Sequence, residues 1–115
     1  MTGYELRDQV TALGFNSGLP DENGFYHAAN LAMMRLRTLI PIDDKNVPLS
    51  EDTLADELPI DQCLSEAAVL LTAYYVWLEE DAAKAAAYRG EYDYAVSQIM
   101  HRRKVEHTEI ITNNW

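Results

Sequence analysis

The sequence predicts an all-α protein: a small four-helix bundle with a long connection between the second and third helices and an extended C-terminal arm. Three observations predict it. Apolar residues recur at three- and four-residue spacing through most of the chain. Glycine and proline are sparse, five and four in 115 residues, and fall mainly between the periodic stretches; a sandwich of short strands would need many more turns. Hydrophobic residues make up 48%, which supports a modest core in a chain of single-domain size without metal or disulfide staples.

Each element follows from local signals. Thr2-Gly3-Tyr4-Glu5 has the capping-box pattern, with Thr2 as N-cap and Glu5 reaching back. Leu6, Val10 and Leu13 follow at helical spacing, and Gly14 ends the first helix. Residues 16–20 are a turn-rich link. Asp21 caps the second helix, whose apolar face is Phe25, Ala28, Ala29, Ala32, Leu36, Leu39 and Ile40. Arg35 and Arg37 complement the dipole at its C-terminal end, and Pro41 stops it. Residues 41–59 hold three prolines and a dense acidic load, which oppose a helix. A bare loop of that length is unusual inside a compact domain. The segment reads as short extended pieces, as a lobe shaped by contact with a neighbouring subunit, or as a mobile acidic loop.

The third helix is expected over about 60–79, with one stripe of Ile60, Leu64, Ala67, Leu71, Tyr74 and Leu78. Val69, Leu70, Ala73, Val76 and Trp77 cover much of its remaining surface. A helix apolar nearly all round sits at the heart of a bundle or in a shared subunit interface. Residues 79–81 make a tight acidic connection, and Asp81 caps the fourth helix. Ala85, Tyr88, Tyr92, Ala95 and Ile99 form its inward stripe. Gly90 costs about 1 kcal/mol relative to Ala in a helix, so close packing or a bend is expected there. His101, Arg102, Arg103 and Lys104 close the helix in accord with its dipole. From residue 105 the chain reads VEHTEIITNNW, in which Val, Thr and Ile favour extended backbone. The chain thus divides into a helical domain, 1–104, and an extended arm, 105–115, which frays alone or pairs with a sheet edge on another chain.

Nine basic residues against nineteen acidic ones give a net charge of -10. Such a surface repels phosphate backbones and argues against general nucleic-acid binding; it also simply keeps a protein soluble. Cys63 is the only cysteine, so neither an intrachain disulfide nor a cysteine-based zinc site forms. It reads as a small buried hydrophobe, and Asp61 and Glu66 nearby oppose a reactive thiolate. The N-terminus lacks a secretory pattern, and the apolar run 67–78 is too short to span a bilayer, so a soluble intracellular product is expected. No glycine-rich phosphate loop, GxSxG or HExxH occurs, and His27, His101 and His107 lack the Glu-x-x-His spacing of a di-iron bundle. No catalytic residue, cofactor or metal is expected. Tyr74, Tyr75, Trp77, Tyr88, Tyr92 and Tyr94 would suit a ligand cleft, but aromatic stripes at helical spacing read as core or interface. Arg102, Arg103 and Lys104 either balance the helix dipole or meet acidic groups of a neighbouring copy's segment 43–57. Asp43, Asp44, Asp52, Asp56, Glu57, Arg102, Arg103 and Lys104 are therefore the subunit-interface candidates.

The stretch 52–100 also resembles the C-terminal helical hairpin of tailed-phage head-tail connector, or adaptor (neck), proteins. The resemblance rests on a polar lead at 52–58, Leu58-Pro59, an apolar helix over 63–78, an acidic turn at 79–81 and an Ala-rich helix with tyrosines over 82–92. The resemblance implies a structural virion protein, not an enzyme. Such subunits form a ring on the portal, commonly twelve-fold, extend the DNA channel and present a surface to the tail or its stopper. DNA would be channel cargo only, and no membrane is involved. The C-terminal segment in that family reaches into the portal, which makes Val105, Ile110, Ile111 and Trp115 the implied anchors of the arm. The protein would be made in the host cytoplasm and reside at the head-tail junction. Two other classes stand beside this one. A small acidic inhibitor that mimics nucleic acid would use an exposed acidic array such as 43–57. An enzyme accessory or small-ligand helical domain has no positive feature in the sequence.

Overall fold

A computed structural model of the chain describes residues 1–14, 22–42 and 47–113, with side chains described except at Glu22 and at 105–113. Four α-helices carry the architecture: α1 (Gly3–Leu13), α2 (Glu22–Leu39), α3 (Ser65–Trp77) and α4 (Ala82–Asn113). Among the described residues no strand forms; Thr2 and Glu57 make one isolated antiparallel bridge.

The N-terminus of α1 is a closed capping box. The Thr2 hydroxyl accepts from the Glu5 N–H at 3.2 Å, and the Thr2 N–H donates to the Glu5 carboxylate at 3.2 Å. The N–H of Gly14 closes the other end on the Thr11 carbonyl at 3.0 Å. Along α2, Phe25, Ala29, Ala32, Met33 and Leu36 are buried at the spacing of one helical face. The helix stops at Leu39, and Pro41 follows.

The centre of the molecule is α3. Eight of its thirteen residues are buried, including the unbroken run from Ala67 to Ala73, so it must be covered on several sides. It packs on α4, α2 and α1. The fourth helix packs with a single stripe: Ala85, Tyr88, Tyr92, Ala95 and Ile99 are all buried. Asp81 caps it, accepting the Lys84 N–H at 3.1 Å.

Several expectations need correction. The α3 region opens as a 3-10 turn, Gln62–Leu64, with Asp61 accepting the Cys63 N–H at 3.0 Å. The tighter turn rotates Cys63 outward, and its thiol is exposed rather than buried. Leu78 lies past the last residue of α3 and is 42% exposed, so it leaves the apolar stripe. Gly90 allows no close approach: an added Cβ would meet nothing within 4 Å.

The largest correction is the arm. The backbone of 105–113 is helical, a continuation of α4, and not extended. Past Gly90 the chain has neither Gly nor Pro up to Asn113. Each Val, Thr or Ile costs at most about 0.7 kcal/mol in a helix, and an existing helix adds one hydrogen bond per residue without a new nucleus. Ile99 is the last buried residue of the described stripe, and Met100 to Lys104 are exposed. The helix of 32 residues is about 48 Å long, which accounts for most of the 54 Å long axis.

Candidate functional site

Segment 47–61 is a folded lobe docked beside α1 and α2. Leu49, Leu54, Leu58 and Ile60 are its buried anchors. Polar tethers complete the attachment. Asn30 on α2 donates its side-chain amide to the Leu49 carbonyl at 3.0 Å and accepts the Leu49 N–H at 2.7 Å. Arg37 donates to the Pro59 carbonyl at 2.9 Å. The Tyr4 N–H donates to the Leu54 carbonyl at 3.0 Å, and the Leu58 N–H to the Met1 carbonyl at 2.9 Å. Gly3 is required at this junction: a Cβ there would lie 2.7 Å from Leu49 Cδ1 and 3.0 Å from the Leu54 backbone.

With its leucines inward, the lobe turns its carboxylates outward. Glu51, Asp52, Asp56 and Glu57 are exposed, and Glu57 pairs with the Met1 ammonium at 2.7 Å. Asp43 and Asp44 lie outside the described residues. Val47, also exposed, gives the lobe one apolar edge.

The predicted basic cluster is elsewhere. Arg102, Arg103 and Lys104 are exposed on α4 past Ile99. Arg103 acts on the start of α3: its charge helps lower the Asp61 carboxyl, after the larger effect of the hydrogen bonds from Cys63. The Cys63 thiol is pushed up, first by desolvation and then by Asp61, so it stays protonated at neutral pH. Arg102 lines an open groove of about 840 Å³ between α3 and α4, together with Leu70, Gly90, Glu91 and Tyr94. The side chains of Val105, Ile110 and Ile111 are not among the described ones, and Trp115 lies outside the described residues.

The structure assembles one cluster from tyrosines that the sequence offers as core or interface, from Arg35, which it offers as helix-end charge, and from Arg89, which it does not single out. Arg35 of α2 donates to the Tyr75 hydroxyl of α3 at 3.3 Å. The Tyr75 and Tyr74 rings lie 5.2 Å apart. Arg89 of α4 sits 5.4 Å from the Tyr74 ring and 5.5 Å from the Tyr92 ring, and pairs with Asp93 at 3.2 Å. Three helices thus supply one continuous arginine–tyrosine surface. Burial raises the Tyr92 phenol, opposed by Arg35 and Arg89. The hydrogen bond with Tyr75 raises Arg35 further, so it is a permanent cation. The only trace in the sequence is the three-residue step from Arg89 to Tyr92, which puts both on one helix face. Arg35 and Tyr75 are 40 residues apart.

Tyr88 and Trp77 make structural contacts. The Tyr88 hydroxyl donates to the Leu13 carbonyl, and the Lys84 ammonium reaches the Gly14 carbonyl at 3.4 Å, so α4 supplies donors to the C-terminal carbonyls of α1. Lys84 also lies 3.8 Å from the centre of the Trp77 ring.

Among the described residues no group of three His, Cys, Asp or Glu side chains is placed to hold a metal ion. None of the described helices is long and apolar enough to cross a membrane. No protein family, curated protein or solved structure matches the chain.

Proposed function

We propose that this protein is a head-tail adaptor subunit of a tailed phage. It assembles as a ring on the portal, extends the DNA channel and offers its far side to a tail or stopper protein. The observation that supports the reading is the hairpin over 58–100. Leu58-Pro59 leads into the buried helix α3, an acidic turn follows, and Ala-rich α4 packs back with Tyr88 and Tyr92 inward. The net charge of -10 suits a channel through which DNA slides without adhesion. The protein is made in the host cytoplasm and works at the head-tail junction, with no catalytic role and no cofactor.

Val105, Ile110, Ile111 and Trp115 are the proposed portal contact. Because 105–113 continue α4, Val105, Ile110 and Ile111 meet the portal from a helix and not by strand addition. Deleting 105–115 removes residues past Ile99, the last buried position of the stripe among the described residues. The truncated protein is expected to melt cooperatively at nearly the same temperature, its helical signal reduced only by the residues removed, while losing portal attachment. Truncated protein that still docks with unchanged affinity contradicts the assignment.

The whole reading is tested by mass measurement of the purified protein with and without the portal protein encoded with it. A closed ring bound to the portal supports it. The exposed carboxylates of the lobe favour one rival, a nucleic-acid mimic, for which the same measurement shows a stable monomer that binds a nucleic-acid enzyme and ignores the portal.

A further inference from the structure

The groove between α3 and α4 lies along the solvent side of α4. Leu70 and Ala95 are its buried members, and Gly90, Tyr94 and Gln98 line it from the exposed face. Tyr94 is 69% exposed, more than any other large hydrophobic side chain among the described residues. A Cβ added at Gly90 would meet nothing within 4 Å, so another molecule can come close to the helix there.

The charged residues of this groove are Glu66, Glu91 and Arg102. None of the three has an ion-pair partner among the described residues. Glu91 and Arg102 stand eleven residues apart on α4. That is three turns, which returns them to one face within about 20° but separates them by about 16 Å. Within one copy the two charges are therefore too far apart to pair. Against an antiparallel copy of the same helix they match. Glu91 then faces Arg102 of the other copy, and Arg102 faces its Glu91. The axis of that arrangement passes level with Val96 and Ser97, with Tyr94 and Gln98 of each copy close by.

We propose that the α4 face from residue 87 to residue 102 is a two-fold docking surface for the same face of a second copy of this chain, run antiparallel. An ion pair between Glu91 and Arg102 closes each end, and each Tyr94 ring lies in the other copy's groove. The mixture of charges names the occupant. A wholly basic partner would be repelled by Arg102, and a wholly acidic one by Glu66 and Glu91. A surface with both signs in reverse order satisfies both ends, and this face is such a surface for itself, as a two-fold contact requires. Glu66, one turn before Leu70 on α3, adds a second carboxylate to the groove, and the incoming guanidinium has five N–H donors to share between them. Tyrosine suits the centre of such a contact, being a large apolar body with a polar tip and few rotamers to freeze.

The pair goes beyond the ring reading. It is an isologous contact that closes on two copies, whereas a ring is built from heterologous ones. It uses neither the acidic lobe nor 105–113.

The test is sedimentation of the whole chain over a range of concentrations at about 0.15 M salt, where repulsion between two copies of net charge -10 is largely screened. The variants are Glu91→Arg, Arg102→Glu and the two together. Both positions are exposed, and an unchanged melting temperature certifies each fold. Wild-type protein is expected to pass from monomer to dimer as concentration rises. Each single variant sets like charges against each other at both ends and is expected to associate at least roughly tenfold more weakly. The double variant is expected to recover wild-type association, because the reversed charges are again complementary. An equimolar mixture of the two single variants is expected to recover it as a mixed dimer. Wild-type protein that stays monomeric at every concentration overturns the contact. Single variants that associate as well as wild type also overturn it, and if that association is a ring the adaptor reading stands. Loss in the single variants without recovery in the double variant or in the mixture overturns the antiparallel pairing of Glu91 with Arg102.

Discussion

The helix α3 and the lobe 47–61 are both buried against the same bundle, yet they are held by different physics. The helix is apolar on nearly every side, and it is surrounded by α1, α2 and α4. Its attachment is hydrophobic area, which has no direction and tolerates small shifts. The lobe buries Leu49, Leu54, Leu58 and Ile60 and exposes Val47, Glu51, Asp52, Asp56 and Glu57. Beyond that apolar contact it is tied down by directed hydrogen bonds, donated by Asn30, Arg37 and Tyr4 and accepted by the Met1 carbonyl. The difference teaches where function has room. A region made of core cannot change without unfolding, whereas a lobe pinned at a few points leaves its outer residues open to carry charge.

This comparison is broken most severely from the α3 side. Leu71 is fully buried, so Leu71→Ala should cost about 2–5 kcal/mol of global stability by loss of transfer energy plus a cavity. Denaturant titration checks this, and a cost near zero would mean that α3 is not the core. The lobe side is tested at Asn30, whose side chain satisfies both backbone groups of Leu49. Asn30→Ala leaves buried donor and acceptor unpaired and should cost about 1–3 kcal/mol. The loss should come with faster proteolysis inside 47–60, because the lobe loosens before the bundle does. The smallest effect has the opposite sign. Gly90 is helical and faces open space, so Gly90→Ala should stabilise by about 0.5–1 kcal/mol. Destabilisation at Gly90 would show that the groove between α3 and α4 is filled by something that needs the missing methyl group.

The same contrast explains what could be read from the sequence. Local signals were legible: the Thr2–Glu5 box, the stops at Gly14 and Pro41, the Asp81 cap, and the stripe of Ala85, Tyr88, Tyr92, Ala95 and Ile99. Each is decided by residues within one or two turns. What depends on distant partners was not legible. The lobe is fixed by tethers from 19 and 22 residues away, and nothing near Leu49 announces Asn30. Arg35 looked like a dipole complement because Tyr75, its partner, is 40 residues off. The end of α4 failed for another reason: β-branched residues prefer extended chain by a few tenths of a kcal/mol, too little to stop a helix already under way. Cys63 was misplaced because a 3-10 turn changes the angular spacing that a regular helix would have imposed.

The central claim is that α3 is the core of the bundle while the lobe 47–61 is pinned to it at a few points. Amide hydrogen exchange, mapped along the chain, tests it most directly. The account predicts the slowest exchange over 67–73, which opens only with the whole bundle, and faster exchange over 47–58, which opens locally. Exchange over 67–73 as fast as that over 47–58 would contradict it.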